Sequence, residues 1–237
     1  MPSKNKPRNE KQLRLLPKRQ IQPTYTGPQR NEVIDGVQIF ETSRGCARNC
    51  PWCYEPTEKT FFDVPEIISN NVQITDMNFL ERPDAHEIIK DLGNERVKGN
   101  VVHYEMTSGF DYRLLTQEIA DDLKRSRFIK PRIAWDWEFG KQLEIKDAIW
   151  KLLKAGYKRK EIGVFMIVNH IIPKDHCDRK LDLLKVWNVH ACDCCFDGGY
   201  KYAVPEFWTK EEIVEFRGKC RKHNQIVNFG VDPEWKK

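Results

Sequence analysis

The chain has 237 residues, 40% of them hydrophobic and 11% aromatic, enough for one sizeable core, and it contains no run near the roughly 20 apolar residues that span a bilayer. Its net charge of +5 is uneven: residues 1–30 carry eight Lys and Arg against the single acid Glu10, leaving −2 for the rest. The start is basic and polar, without the apolar centre of a signal peptide, and three of the eight cysteines crowd into one short loop. A membrane protein and a disulfide-stapled miniature are thereby excluded, and a reducing, cytoplasmic setting is expected.

Residues 1–30, rich in Lys, Arg, Pro and Gln, hold too little apolar surface to offset their ordering entropy and read as a mobile arm. The arm is either a solvated tail or, through residues 4–30, an electrostatic hold on nucleic acid. Residues 31–237 read as a single core domain.

Short β-type runs then alternate with helical segments. Val37 to Phe40 is the first strand and leads into the cysteine loop. Val72 to Ile74 is the second, followed by Asp76-Met77-Asn78-Phe79 and a helix from Asp84, with Glu87 three residues on and Gly93 closing it. Val101 to Met106 is the third, ending in Thr107-Ser108-Gly109 before a helix capped by Thr116. Arg132 to Trp137 is the fourth; the next helix carries Ile145, Ala148, Ile149, Leu152 and Leu153 on one stripe and stops at Gly156. Gly163 to Val168 is the fifth strand, 175 to 187 a helix, and Val189 to Phe196 the sixth strand. Thr209 and Glu212 form a capping-box pattern for a last helix running to about His223. Such alternation predicts an α/β fold with a parallel sheet, open or curled into a partial barrel, and chemistry at the carboxyl ends of its strands.

Cys46, Cys50 and Cys53 can hold a 4Fe-4S cluster through three thiolates, leaving one iron open to another ligand. Gly45 and Pro51 supply bends, and Arg44 and Arg48 offset the cluster's negative charge. Zinc usually takes four ligands in separated pairs, and no second pair of that kind is evident. The run Cys46-Ala47-Arg48-Asn49-Cys50-Pro51-Trp52-Cys53 resembles the C-x3-C-x-aromatic-C signature of the radical S-adenosylmethionine superfamily, with Trp52 as the aromatic. That resemblance implies a partial (β/α)6 barrel of parallel strands with helices outside. It also implies that the open iron binds S-adenosylmethionine and that an electron from a flavodoxin- or ferredoxin-like donor cleaves it. The resulting 5′-deoxyadenosyl radical then abstracts hydrogen from a substrate.

Asp76 and Asn78 stand where the family has Gly-Gly-Glu, and the resemblance gives them, with Trp52, contacts to the cofactor; turn capping is the other reading of the pair. Alternation puts Ala134, Asp136 and Glu138 inward on the fourth strand and Ile133, Trp135 and Trp137 outward, so Asp136 is the candidate for the ribose, or else an internal ion pair. Ser108 and Asn169 are candidates for the methionine or ribose moiety, or satisfy loop backbone. His103, Glu105 and Thr107 form an inward row. Cys177 and Cys220 fall at helical core spacing. Cys192 and Cys194 share a face of the sixth strand, where they can donate hydrogen, bind a second metal or simply pack. A metal- or cluster-stabilised nucleic-acid-binding module without catalysis is the competing function.

Overall fold

The computed structural model describes residues 27–50, 53, 55–136, 139–168, 172–195 and 208–230. β1 (Asn31–Ile34) and β2 (Val37–Phe40) form an antiparallel hairpin through Asp35 and Gly36. Both turn residues have positive φ, 50° and 77°, as a two-residue Asp-Gly hairpin turn requires. β3 (Ser43–Arg44) pairs antiparallel with β4 (Thr60–Phe61). β5 (Asn71–Ile74) precedes α1 (Ala85–Asn94), β6 (Arg96–Val97) pairs with β7 (Asn100–Val101), and β8 (His103–Met106) leads to α2 (Gln117–Arg125). β9 (Arg132–Ala134), α3 (Gln142–Lys154), β10 (Gly163–Val168), α4 (Lys174–Trp187), β11 (His190–Cys195) and α5 (Lys210–Phe229) complete the order.

The expected partial (β/α)6 barrel of parallel strands is not what forms. The strands divide into a mixed four-stranded sheet ordered β1-β2-β5-β8, a parallel three-stranded sheet ordered β11-β10-β9, and two small hairpins. Between the two larger sheets, among the described residues, only the isolated bridges Tyr104–Phe128, from β8, and Phe110–Ile133, to β9, are made. Left-handed residues explain the break. Gly109 has φ 80° and Arg127 and Lys130 have φ 63° and 47°, so neither β8 nor the approach to β9 stays extended long enough for a continuous ladder.

Alternation within the parallel strands is as expected. Phe40, Val72, Ile74, Tyr104, Met106, Ile133, Trp135, Val164, Met166 and Val168 are buried with the helix residues Ile89, Leu123, Ala148, Leu152 and Leu184 in one core. Ile39, Gln73, Glu105, Ala134, Asp136, Phe165, Ile167, Cys192 and Cys194 lie on the opposite face, each half-buried. Thr116 caps α2 by accepting from Ile119 N at 3.2 Å, and the Thr209–Glu212 capping box starts α5. Asp84 gives no such cap to α1, because its carboxylate binds Arg82 at 2.9 Å instead. Gly93 lies inside α1 rather than closing it; a Cβ there would meet Ser126 Oγ at 2.6 Å. Cys177 and Cys220 are fully buried core residues. Among the described residues no helix is long and apolar enough to cross a membrane.

Candidate functional site

The three loop cysteines lie inside the β3–β4 hairpin, so the loop returns on itself rather than running from strand to helix. Gly45 is required at its start. Its φ is 83°, and a Cβ would lie 1.9 Å from the Glu58 carbonyl oxygen, a backbone contact no side chain tolerates. Cys46 N donates to Pro56 O at 2.8 Å and Gly45 N to Glu55 Oε2 at 3.1 Å, closing the loop.

Asp76 anchors the entrance. Its buried carboxylate accepts from Thr42 N at 2.6 Å, Thr42 Oγ1 at 2.7 Å and Ser43 Oγ at 2.6 Å. Burial raises its pKa, with these donors opposing the shift. The Arg82 guanidinium fastens the two sides of the entrance by donating to Thr42 O and, at 2.9 Å, to Phe62 O. Asp76 therefore faces the loop's backbone, with its acceptor capacity taken up there.

Cys46, Cys50 and Cys53 are half-buried. Asn78 Nδ2 lies 3.7 Å from Cys46 Sγ, and Glu55 N donates to Cys53 Sγ at 3.4 Å. Burial pushes the Cys50 thiol up to about 12, and Cys53, Asp136 and Cys46 add to the rise while Arg113 opposes it. Among the described residues, the one group of three His, Cys or carboxylate ligand atoms all within 4.8 Å of one another is His86, Glu118 and Asp122, between α1 and α2. Arg125 and Lys90 already pair with Asp122 there. Cys53 and Cys46 both act electrostatically on Cys50, so the three loop thiols neighbour one another. N–H groups directed at two of the sulfurs suit thiolate ligands. This set of thiol donors fits thiolate ligation of an iron–sulfur cluster.

Asn78 and Asp111 form the wall behind Cys46. Asn78 is 6% exposed, with Nδ2 3.5 Å from Asp111 Oδ2, and its buried Oδ1 has no hydrogen-bond partner among the described residues. Asp111 accepts from Arg48 Nε at 2.7 Å, Arg113 Nε at 2.6 Å and Arg113 N at 3.0 Å. Burial alone would raise the Asp111 pKa, but the hydrogen bonds and charge of Arg113, with the charge of Arg48, hold it low. Glu81 also grips the loop, accepting from Ala47 N at 3.1 Å and pairing with Lys59 at 3.1 Å. Sequence reasoning missed Asp111, Arg113 and Glu81. The bridge at Phe110, which carries the strand direction past Gly109, is what brings Asp111 to the loop.

The three-stranded sheet supplies the facing wall. Trp135 N bonds to Phe165 O, and the register pairs Ala134 with Phe165, Phe165 with Cys192 and Ile167 with Cys194. Asp136, two residues beyond Ala134, thus shares a row and a face with Ile167 and Cys194. Burial raises the Asp136 carboxyl to about 6, against the nearby charges of Lys180 and Arg113. Lys180 itself is fully buried and donates to Trp135 O at 2.7 Å. Burial, then the Asp136 charge, pushes the Cys194 thiol up to about 12. Asp136 acts on both Cys50 and Cys194, which links the two walls.

The remaining candidates are less committed to this centre. Cys192 lies over Gly163, where a Cβ would stand 2.9 Å from its sulfur, and its raised pKa, due to burial, is moderated by Arg132. Arg132 and Lys130 neutralise Glu105, so the inward row of β8 is an ion-pair set. Ser108 Oγ donates to Thr75 O at 3.4 Å and lies 3.7 Å from Met77 Sδ. Trp52, Trp137, Glu138, Asn169 and residues 1–26 of the arm lie outside the described residues. Neither a protein-family model nor a curated protein matches the chain.

Proposed function

We propose that the chain is a radical S-adenosylmethionine enzyme, with Cys46, Cys50 and Cys53 as ligands of a 4Fe-4S cluster. One observation supports the reading: a hairpin pinned at Gly45 brings Cys46, Cys50 and Cys53 together, with N–H groups directed at two of the sulfurs. When bound, the cluster and S-adenosylmethionine supply a one-electron cleavage that yields a carbon-centred radical. Cys46 and Cys53 receive N–H groups from Asn78 and Glu55, which stabilise thiolate charge. Asn78 Oδ1 is an acceptor for an ammonium group, Arg113 and Arg48 attract a carboxylate, and Asp136 offers a carboxyl to a ribose. These groups suit an amino-acid nucleoside. The basic residues within 4–30 favour nucleic acid over peptide as substrate, and three cysteines crowded into one loop support a reducing, cytoplasmic setting. A low-potential flavodoxin- or ferredoxin-type donor is the matching reductant.

Anaerobic reconstitution with iron and sulfide, reduction with dithionite and addition of S-adenosylmethionine test the reading. The expected product is 5′-deoxyadenosine, absent with Cys50→Ala. A loaded cluster that leaves S-adenosylmethionine intact would reject it in favour of a cluster-stabilised nucleic-acid-binding module.

A further inference from the structure

We infer that the outer face of α3 is a docking surface for single-stranded RNA, with Trp150 stacking on an unpaired base and Lys146 and Lys154 holding phosphates to either side. The inference deepens the proposed function by giving its nucleic-acid substrate a surface, and it rests on that reading for a reaction. The inner face of α3 is taken up in the core by Ile145, Ala148, Ile149 and Leu152. At 3.6 residues per turn, Leu143, Lys146 and Lys154 all fall within about 40° of Trp150 on the opposite side of the helix. Leu143 is 75% exposed and Trp150 55%, and both lysines are exposed.

Charge singles this face out. The two carboxylates of α3 already have cations: Glu144 pairs with Lys141 at 3.1 Å and Asp147 with Lys151 at 2.7 Å. Lys146 and Lys154 have no ion pair or hydrogen bond among the described residues. Lys158 and Lys160, exposed beyond Gly156, extend the positive charge past the end of the helix. The helix dipole accounts for a cation in the last turn, but not for Lys146 or for an exposed indole.

Four residues of helix rise about 6 Å, so the two lysines stand one turn to either side of the indole. That arrangement suits a phosphodiester chain: the indole face takes any base, and the flanking cations take its phosphates. A duplex keeps its bases stacked inside, and an acidic peptide offers charge without a base. Unpaired bases on a phosphodiester backbone belong chiefly to RNA loops and single strands, so RNA is the occupant. The surface also leads toward the candidate site. A groove between α3 and the segment after Gly109 is lined by Tyr112, Arg113, Leu143, Glu144, Asp147 and Lys151. Leu143 thus borders both the exposed stripe and the groove, and across it Arg113 binds Asp111, behind Cys46.

Fluorescence anisotropy of a labelled oligouridylate of about 15 nucleotides tests the surface on the full chain at low salt. Trp150→Ala should weaken binding about tenfold, and Trp150→Phe should recover most of the loss. Lys146→Gln combined with Lys154→Gln should flatten the slope of log affinity against log salt by about 1.4, two phosphates at about 0.7 each. Lys185→Gln combined with Lys210→Gln removes equal charge from α4 and α5 and should leave that slope unchanged. Residues 1–30 carry the same charge in every variant, so the differences report α3. All the substituted side chains are exposed, and equal thermal melts check that the variants fold. Unchanged affinity in Trp150→Ala, or an unchanged slope in the α3 lysine variant, overturns the inference. So does a duplex or polyglutamate that binds as tightly as oligouridylate and is weakened equally by Trp150→Ala; the occupant is then a duplex or an acidic protein. 5′-Deoxyadenosine formation by the same reconstituted proteins, with S-adenosylmethionine alone, keeps the two readings apart. Product together with RNA binding that ignores Trp150 rejects only the surface. RNA binding that depends on Trp150 without product rejects only the enzyme.

Discussion

The loop side and the β9–β11 side of the site spend their polar groups differently. On the loop side Asp76 accepts three hydrogen bonds, Asp111 four, and Arg82 joins both sides of the loop entrance to Asp84. On the β9–β11 side, Asp136 is surrounded by charges, Lys180 and Arg113, that act on it at a distance. The first wall is a clamp whose carboxylates are taken up by backbone and side-chain donors around the loop, while Asn78 Oδ1 has no hydrogen-bond partner among the described residues. On the second, the Asp136 carboxylate has no hydrogen-bond partner among the described residues, and a ligand could supply one.

Truncation should therefore hurt the first wall most. Asp76→Ala strands a buried backbone N–H and two hydroxyls and should cost about 4 kcal/mol in urea unfolding. Asp76→Asn, which restores an acceptor and a donor of the same shape, should recover more than half; a cost for Asp76→Ala under 1 kcal/mol would remove the clamp. Gly45→Ala should cost about 3 kcal/mol through left-handed strain and the clash with Glu58 O. Its sharper signature is loss of iron uptake, measured after reconstitution, with helical circular dichroism unchanged. Normal iron loading would show that the hairpin does not need its tight start.

Much of this contrast was legible beforehand, and the parts that were not have definite causes. Period-2 alternation assigned Ile133 and Trp135 to the core and Asp136 to the open face, because a strand packed under helices has only that choice. The same logic reached Cys192 and Cys194 but did not separate them. The separation comes from cross-strand neighbours, Gly163 and Arg132 for one and Asp136 for the other. The Asp35-Gly36 turn, a readable hairpin signal, went unused and with it β1 and the mixed sheet. The split between sheets hangs on left-handed backbone at Gly109, Arg127 and Lys130, and neither Arg nor Lys announces that conformation. Asp111 and Arg113 follow Gly109, beyond the point where strand periodicity can be extended.

Asp136 offers the smaller and more discriminating test of the open wall. Its carboxyl titrates near 6 in the fold, against about 4 in an unfolded chain. The folded state therefore binds more protons between those values, and by linkage this group's contribution to stability falls as pH rises from about 4 to about 6. Asp136→Asn, neutral at every pH, should match wild type below pH ~4 and exceed it by about 2 kcal/mol at pH ~7, the full shift being reduced for partly open surroundings. Urea midpoints of the metal-free proteins across that range measure the difference. Lys180→Met, which removes an attractive charge, should move the wild-type transition to higher pH. A difference between Asp136→Asn and wild type that stays constant with pH would mean that Asp136 is as firmly satisfied as Asp76, and the contrast between the two walls would then disappear.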